Sequence, residues 1–201
     1  MKSLILLLLT ILVVTPLNAI TIGMVSNKMN VEVHLIGGGI VCGKTKMPKE
    51  NQDKLKVRIT DRDTVISAKD VNYMSVWSEK YDTGKKYIMK WSEYYKKPGG
   101  KPHKSVWIIL MQEGPYCDMW CVARNANFGL EGDIVMWHKY HETTIELYWK
   151  KNADIPTMIW NLEHCQQYFS DDKVIVKKIK SQKNPPFYMD KQVQEYVPGR
   201  E

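Results

Sequence analysis

The chain has 201 residues, four cysteines and a formal net charge of +7. Past residue 19 no stretch is long and apolar enough to cross a bilayer, and no Asn-x-Ser/Thr sequon occurs, so neither a later membrane span nor N-glycosylation is expected. The moderate basicity favours anionic partners by long-range attraction, and it serves solubility equally well.

Met1-Lys2 is a short positive start, residues 4–14 are almost unbroken apolar sequence, and Pro16 and the small residue Ala19 follow. This is the pattern of a secretory signal peptide over residues 1–19, so the mature product is expected outside the cell, secreted. Its removal leaves 182 residues at +6, enough for one domain with a core. That domain is expected over residues 20–180, with 181–201 as a disordered tail marked by Pro185-Pro186 and few aliphatics.

Val31, Val33 and Leu35 alternate with Glu32 and His34, which is strand periodicity. Gly37-Gly38-Gly39 then calls for a bulge or sharp bend before Ile40-Val41-Cys42 resumes. Residues 44–53 read as a polar loop. Leu55, Val57 and Ile59 alternate with Lys54, Lys56 and Arg58: a half-buried strand with its apolar set on a core and its basic set in water, ended by Asp61-Arg62-Asp63-Thr64. Further strands are expected at 71–77, around Tyr87, Met89 and Trp91, and at 106–111, 120–123, 133–138 and 143–149. Residues 158–167 suit a strand or a short helix, and 174–179 a last strand. Seven to nine short strands at even spacing, with no strongly amphipathic helix, predict an all-β sandwich.

An even number of cysteines in an exported chain predicts two disulfides among Cys42, Cys117, Cys121 and Cys165. Three connectivities are open. If Cys117 and Cys121 close a small loop, Cys42 joins Cys165 and ties the start of the domain to its end. A zinc site lacks the Cys-x-x-Cys pairs it would need.

Little points to catalysis. His138 and His141, three apart, fall on opposite faces of a strand, so no metal site is expected there. No Gly-x-Ser-x-Gly nucleophile motif occurs. Asp61 and Asp63 share a strand face and could hold calcium, though turn and edge charges explain them and Asp171-Asp172 as well. No catalytic residue, cofactor or metal is therefore assigned.

The lysine pairs at 85–86, 96–97, 150–151 and 177–178 are spread along the chain, several in predicted turns. Gathered at one end of a sandwich, Lys85, Lys86, Lys96 and Lys97, with Trp91 beside them, would form an anionic-surface site. The competing reading is that these lysines are solvated edge residues that block strand-to-strand aggregation. Nucleic acid is not an expected partner of an exported protein.

Leu35-Ile36-Gly37 through Val41-Cys42, then Leu55 to Ile59 with Asp61-Arg62-Asp63-Thr64, resembles the opening of nematode transthyretin-like proteins. Cys117-Asp118 with Cys121 and Arg124 resembles that family's paired cysteines and the basic residue after them. Cys165 stands where a last cysteine is common, and Asp82-Thr83-Gly84 before Tyr87 resembles another of its segments. The likeness spans about residues 31–165 and departs from the family in its glycine cluster, in longer loops and in Tyr116 where a histidine is usual. It implies a transthyretin-like β-sandwich and a binding role, some members being adaptors between anionic phospholipid and cell-surface receptors. The Tyr-Arg-Gly-Ser ending of the related hydroxyisourate hydrolases is missing, so that activity is not carried over.

The sequence thus predicts a secreted, non-enzymatic binding or adaptor protein whose partner is a cell-surface receptor, anionic phospholipid or glycosaminoglycan. A carrier of a small apolar ligand and a secreted hydrolase using His138 or His141 are the alternatives.

Overall fold

The structure is a computed structural model that describes residues 26–81, 83–136, 144–181 and 189–201. The signal segment 1–19, His138 and His141 lie outside the described residues. Strands come first: β1 (Lys28–Leu35), β2 (Ile40–Lys46), β3 (Lys54–Ile59), β4 (Arg62–Ser67), β5 (Val71–Ser78), β6 (Tyr87–Tyr95), β7 (Pro102–Gln112), β8 (Cys117–Val122), β9 (Ala126–Phe128), β10 (Ile134–Met136), β11 (Glu146–Lys150) and β12 (Thr157–Met158). Among the described residues three α-helices follow the strands: α1 (Leu162–Tyr168), α2 (Lys173–Ser181) and α3 (Met189–Glu195). No helix among the described residues is long and apolar enough to cross a membrane.

The protein is β-rich, as the alternation predicts, but its strands are not laid out as a disulfide-linked two-sheet sandwich. Ten of them form one continuous sheet in the order β12-β11-β8-β7-β6-β5-β1-β2-β3-β4. At one end β12 turns back and pairs in parallel with β6 through Thr157 and Tyr95. The Tyr95 N–H donates to the Pro156 carbonyl at 2.9 Å. Strands β6, β7, β8, β11 and β12 therefore close into a five-stranded barrel, while β5, β1, β2, β3 and β4 continue outward as a curved wing. Closure pairs the edge that the two-residue strand β12 would otherwise leave open with the end of β6.

Strand β7 shows how one strand serves two cores. Its side chains alternate: Trp107 and Ile109 pack with Val31, Val33, Leu55, Val57, Met74 and Met89 under the wing, while Val106 and Ile108 face Trp120, Val122 and Leu147 inside the barrel. This is why residues 106–111 read as a continuous apolar run rather than an alternating one. The triple glycine forms the β1–β2 turn, with Gly38 and Gly39 at φ of 83° and 89°, a region L side chains rarely adopt. β3 ends at Ile59, ahead of Asp61 as expected, and Arg62-Asp63-Thr64 opens the next strand. Thr60 takes φ of 50° and the chain doubles back as β4, pairing Arg58 with Asp63 and Leu55 with Ile66.

Two expectations at the C-terminal end are corrected. Residues 174–179 form part of helix α2, not a strand. Ile175 and Ile179, four apart, are buried while Lys177, Lys178 and Lys180 face solvent, and Asp172 Oδ1 accepts the Ile175 N–H at 3.1 Å in capping position. The β-branched run Val174-Ile175-Val176 suggested a strand, but packing and the cap outweigh that propensity. The end of the expected disordered tail is also ordered. In residues 189–201, Gln192, Val193 and Tyr196 are buried, Val193 and Tyr196 joining Cys117, Tyr148, Cys165 and Phe169 in a third core.

That docking depends on a bare backbone at Gly114. A Cβ there would lie 2.4 Å from the Cys117 carbonyl oxygen, 2.7 Å from that of Val193 and 2.9 Å from Val193 Cγ1. Gly114→Ala is expected to lift α3 from β8 and lower stability by about 1–3 kcal/mol, read as a lower denaturation midpoint.

The disulfide prediction is overturned. Among the described residues no disulfide forms. Cys117 and Cys121 lie on the same face of one strand, so their Cα atoms are about 13 Å apart at ~3.3 Å per residue, where a disulfide tolerates about 7 Å. Cys42 is exposed on β2, whereas Cys165 is buried on α1, with β1, β5, β6 and β7 between β2 and β8. Burial pushes the thiols of Cys117, Cys121 and Cys165 up to about 12. They behave as small apolar core residues.

Candidate anion-binding groove

The wing carries two adjoining strands rich in basic residues, β2 and β3. Strand β2 alternates, so Cys42, Lys44 and Lys46 share its exposed face, and β3 presents Lys54, Lys56 and Arg58 in the same way. The two strands meet at a single register pair, Lys44 opposite Arg58. Thr45 adds one link, its hydroxyl donating to the Lys56 carbonyl at 2.7 Å. Gly43 allows the close approach, since a Cβ there would sit 2.4 Å from the Arg58 carbonyl oxygen. Beyond this junction an open groove of about 620 Å³ runs between the strands.

Its walls carry Lys28, Lys44, Lys46, Lys49, Lys56 and Arg58 against two acids, Asp63 and Glu79. Lys44 reaches Glu79 at 3.0 Å, and Lys56 and Arg58 both hold Asp63, at 2.8 and 3.2 Å. Hydrogen bonds from Lys56 and then Arg58 keep the Asp63 carboxyl below its ordinary value. The cationic side chains of these pairs are 58–68% exposed, so the pairs are loosely held and readily exchanged for a competing anion. Lys28, Lys46 and Lys49 have no ion partner among the described residues. Moreover, Lys28 stands directly opposite Lys46 across β1 and β2, as Lys44 stands opposite Arg58. Like charges facing each other across strands are destabilising, and two such pairs on one face leave a net excess of positive charge.

The loop between β2 and β3 brings in Lys49, and Trp107 anchors that loop from below. Trp107 donates its backbone N–H to the Glu50 carbonyl and its indole N–H to the Gln52 carbonyl, both at 2.7 Å. Glu50 also holds Arg124 at 2.7 Å. A second recess adjoins the groove, sharing Lys44, Arg58 and Glu79 with it and adding Cys42 and Trp77.

The residues singled out from the sequence do not form one site. Lys85 and Lys86 precede β6 and Lys96 and Lys97 follow it, so nine strand residues, about 30 Å, separate the two pairs. Lys85 is bound to Asp133 at 2.9 Å, which raises its amine above the ordinary value. Trp91 packs edge-on against Trp107 at 5.5 Å on the core side of the wing. Lys86 alone approaches the groove system, its ammonium 4.6 Å from the ring of Trp77. Of the acids considered for calcium, Asp63 is held by Lys56 and Arg58, and Asp172 by Arg200 at 2.7 Å.

The groove cations escaped sequence reasoning because Lys44, Lys46 and Lys49 lay in what read as a loop and the basic side of β3 read as a plain solvated face. The usable signal was the pairing of Lys44-x-Lys46 with Lys54-x-Lys56-x-Arg58 across a short connection. That pairing places two basic stripes on one face once the strands are antiparallel neighbours.

Fold and groove together define a β-rich protein with an open, basic groove on its wing. Comparison of the chain with known protein families, with curated proteins and with solved structures returns no match.

Proposed function

We propose that this is a secreted, non-enzymatic binding protein whose β2–β3 groove takes a linear polyanion of the glycosaminoglycan class. The observation that carries the reading is the groove's excess of cations, set in like-charge pairs across neighbouring strands. A chain of sulfates or carboxylates lying along the groove would relieve that repulsion at several points at once. The recessed form favours a thin polymer over a flat bilayer, which would meet the rims first. Secretion rests on the N-terminal segment. The resemblance to nematode transthyretin-like proteins supports an anionic cell-surface partner and keeps a phospholipid adaptor as the second reading.

The test is retention of the purified protein on immobilised heparin across a salt series, beside sedimentation with anionic and neutral liposomes. Wild type is expected to bind heparin and to elute earlier as salt rises. The triple reversal Lys44→Glu, Lys46→Glu, Lys56→Glu should weaken binding at least about tenfold, since one charge contact at 4 Å in water corresponds to about 1 kcal/mol. Reversal of Lys96 and Lys97, at the far end of β6, should change it little. Heparin binding untouched by the triple reversal would remove the groove from the account. Binding to anionic vesicles without heparin binding would replace the polymer with a lipid surface.

A further inference from the structure

A second arrangement, independent of the groove, sits in the five-stranded barrel. Lys90 stands on β6 two residues after Ile88, with its side chain turned toward the barrel's aromatic residues. Its ammonium lies 4.9 Å from the ring of Trp149 and 5.6 Å from that of Trp120, and the two rings are 5.7 Å apart. Ile88, Lys90, Leu110 and Trp149 are half-buried, so this end is reachable from solvent. Deeper in, Ile108, Val122 and Leu147 are sealed and fill the barrel.

Two donors at this mouth lack an acceptor. Lys90 makes no ion pair or hydrogen bond among the described residues, and burial lowers its amine from the ordinary value, against the opposing pull of Asp118. Asp118 is already engaged, accepting from Lys151 at 2.8 Å and from the Gly114 N–H at 3.1 Å. Trp149 is satisfied, its indole N–H donating to the Ala153 carbonyl at 2.9 Å. Trp120 is not: it is 3% exposed, and its indole nitrogen is buried with no partner among the described residues. Such a donor is costly to bury unsatisfied. Aromatic faces hold an ammonium well but take only a weak hydrogen bond from an indole N–H. The group both donors lack is a small anion.

We propose that the barrel mouth is a recognition site for a short monocarboxylate. Lys90 Nζ and Trp120 Nε1 donate to the carboxylate, and Trp149, Ile88 and Leu110 flank its apolar tail. The filled interior sets the size limit, admitting a few carbons and excluding a long acyl chain. The site goes beyond the groove, whose cations face outward from the wing.

The test is a titration of the ¹⁵N-labelled protein with sodium butyrate, with sodium chloride at matched ionic strength as control, following the tryptophan indole resonances. A ligand this small is expected to bind on the order of 1 mM. The Trp120 indole N–H should move downfield and saturate with butyrate and stay in place with chloride. Lys90→Met should weaken butyrate binding by about tenfold or more, as expected for loss of a charged hydrogen-bond donor. Lys44→Glu with Lys56→Glu, in the groove, should leave it unchanged. A Trp120 indole that does not respond to butyrate, or that responds equally to chloride, overturns the proposal, as does Lys90→Met titrating like wild type. Should Lys90→Met fail to fold, the wild-type comparison of butyrate with chloride decides alone.

Discussion

Replacement of Asp172 by Asn is expected to lower the stability of the protein by about 3 kcal/mol and its melting temperature by roughly 6–12 °C. Asp172 is fully buried, and both its oxygens are occupied. Oδ1 accepts from Ile175 N–H at 3.1 Å and Arg200 Nε at 3.0 Å, and Oδ2 from Val197 N–H at 2.9 Å and Arg200 Nη2 at 2.7 Å. An amide in its place loses the charge and turns an NH₂ group toward donors. The low end of the usual cost applies because the Arg200 side chain is 32% exposed and is rehydrated when released. The same carboxylate gives the pH dependence. Burial pushes its pKa up, but the Arg200 guanidinium and two backbone N–H donors together outweigh burial and hold it below the ordinary 3.8. A carboxyl depressed in the folded state stabilises fully above its unfolded pKa, and that contribution is lost as pH falls through the folded value. Wild type should therefore lose stability below about pH 4, and Asp172→Asn should lose less over that range. Thermal melts of both proteins from pH 7 down to pH 2 check both points. An unchanged melting temperature would mean that the C-terminal clasp is not coupled to the fold.

Trp107→Ala is expected to cost about 3–5 kcal/mol. Trp107 is fully buried on the face of β7 that packs under the wing, and it lies against Trp91. Its removal leaves a hole in the core that also contains Leu55, Val57 and Met89. Trp107→Phe separates packing from anchoring. It keeps one aromatic ring and deletes the indole donor to Gln52, a loss of about 1 kcal/mol for the hydrogen bond in addition to the volume removed. Hydrogen exchange should then quicken at the backbone amides of residues 49–53 and remain slow in β6. Heparin affinity should fall modestly, because that loop carries Lys49 into the groove. Unaltered exchange in the loop would show that Arg124 and Glu50 suffice to hold it.

What could be read directly from the chain was whatever depends on near neighbours. The alternation of Lys54, Lys56 and Arg58 with Leu55 and Val57 placed a strand with one wet face, because successive side chains of a strand point to opposite sides. The triple glycine marked a sharp bend because two of those residues need positive φ. The β-rich class followed from many such short segments. Three further matters depended on contacts between distant segments. Barrel closure is decided by one short parallel contact, Thr157 with Tyr95, that leaves no periodic trace. Helix α2 was hidden by a β-branched run, and its true signal, Ile175 and Ile179 over a cap at Asp172, shows only against the core that buries them. The cysteine count suggested disulfides, yet pairing is a matter of distance, and the sheet keeps Cys117 and Cys121 on one strand and Cys42 on the remote wing. Charge followed the same division. Composition alone established that the protein is basic, but only strand order could decide which lysines meet, since two stripes separated along the chain become one groove when β2 and β3 are neighbours.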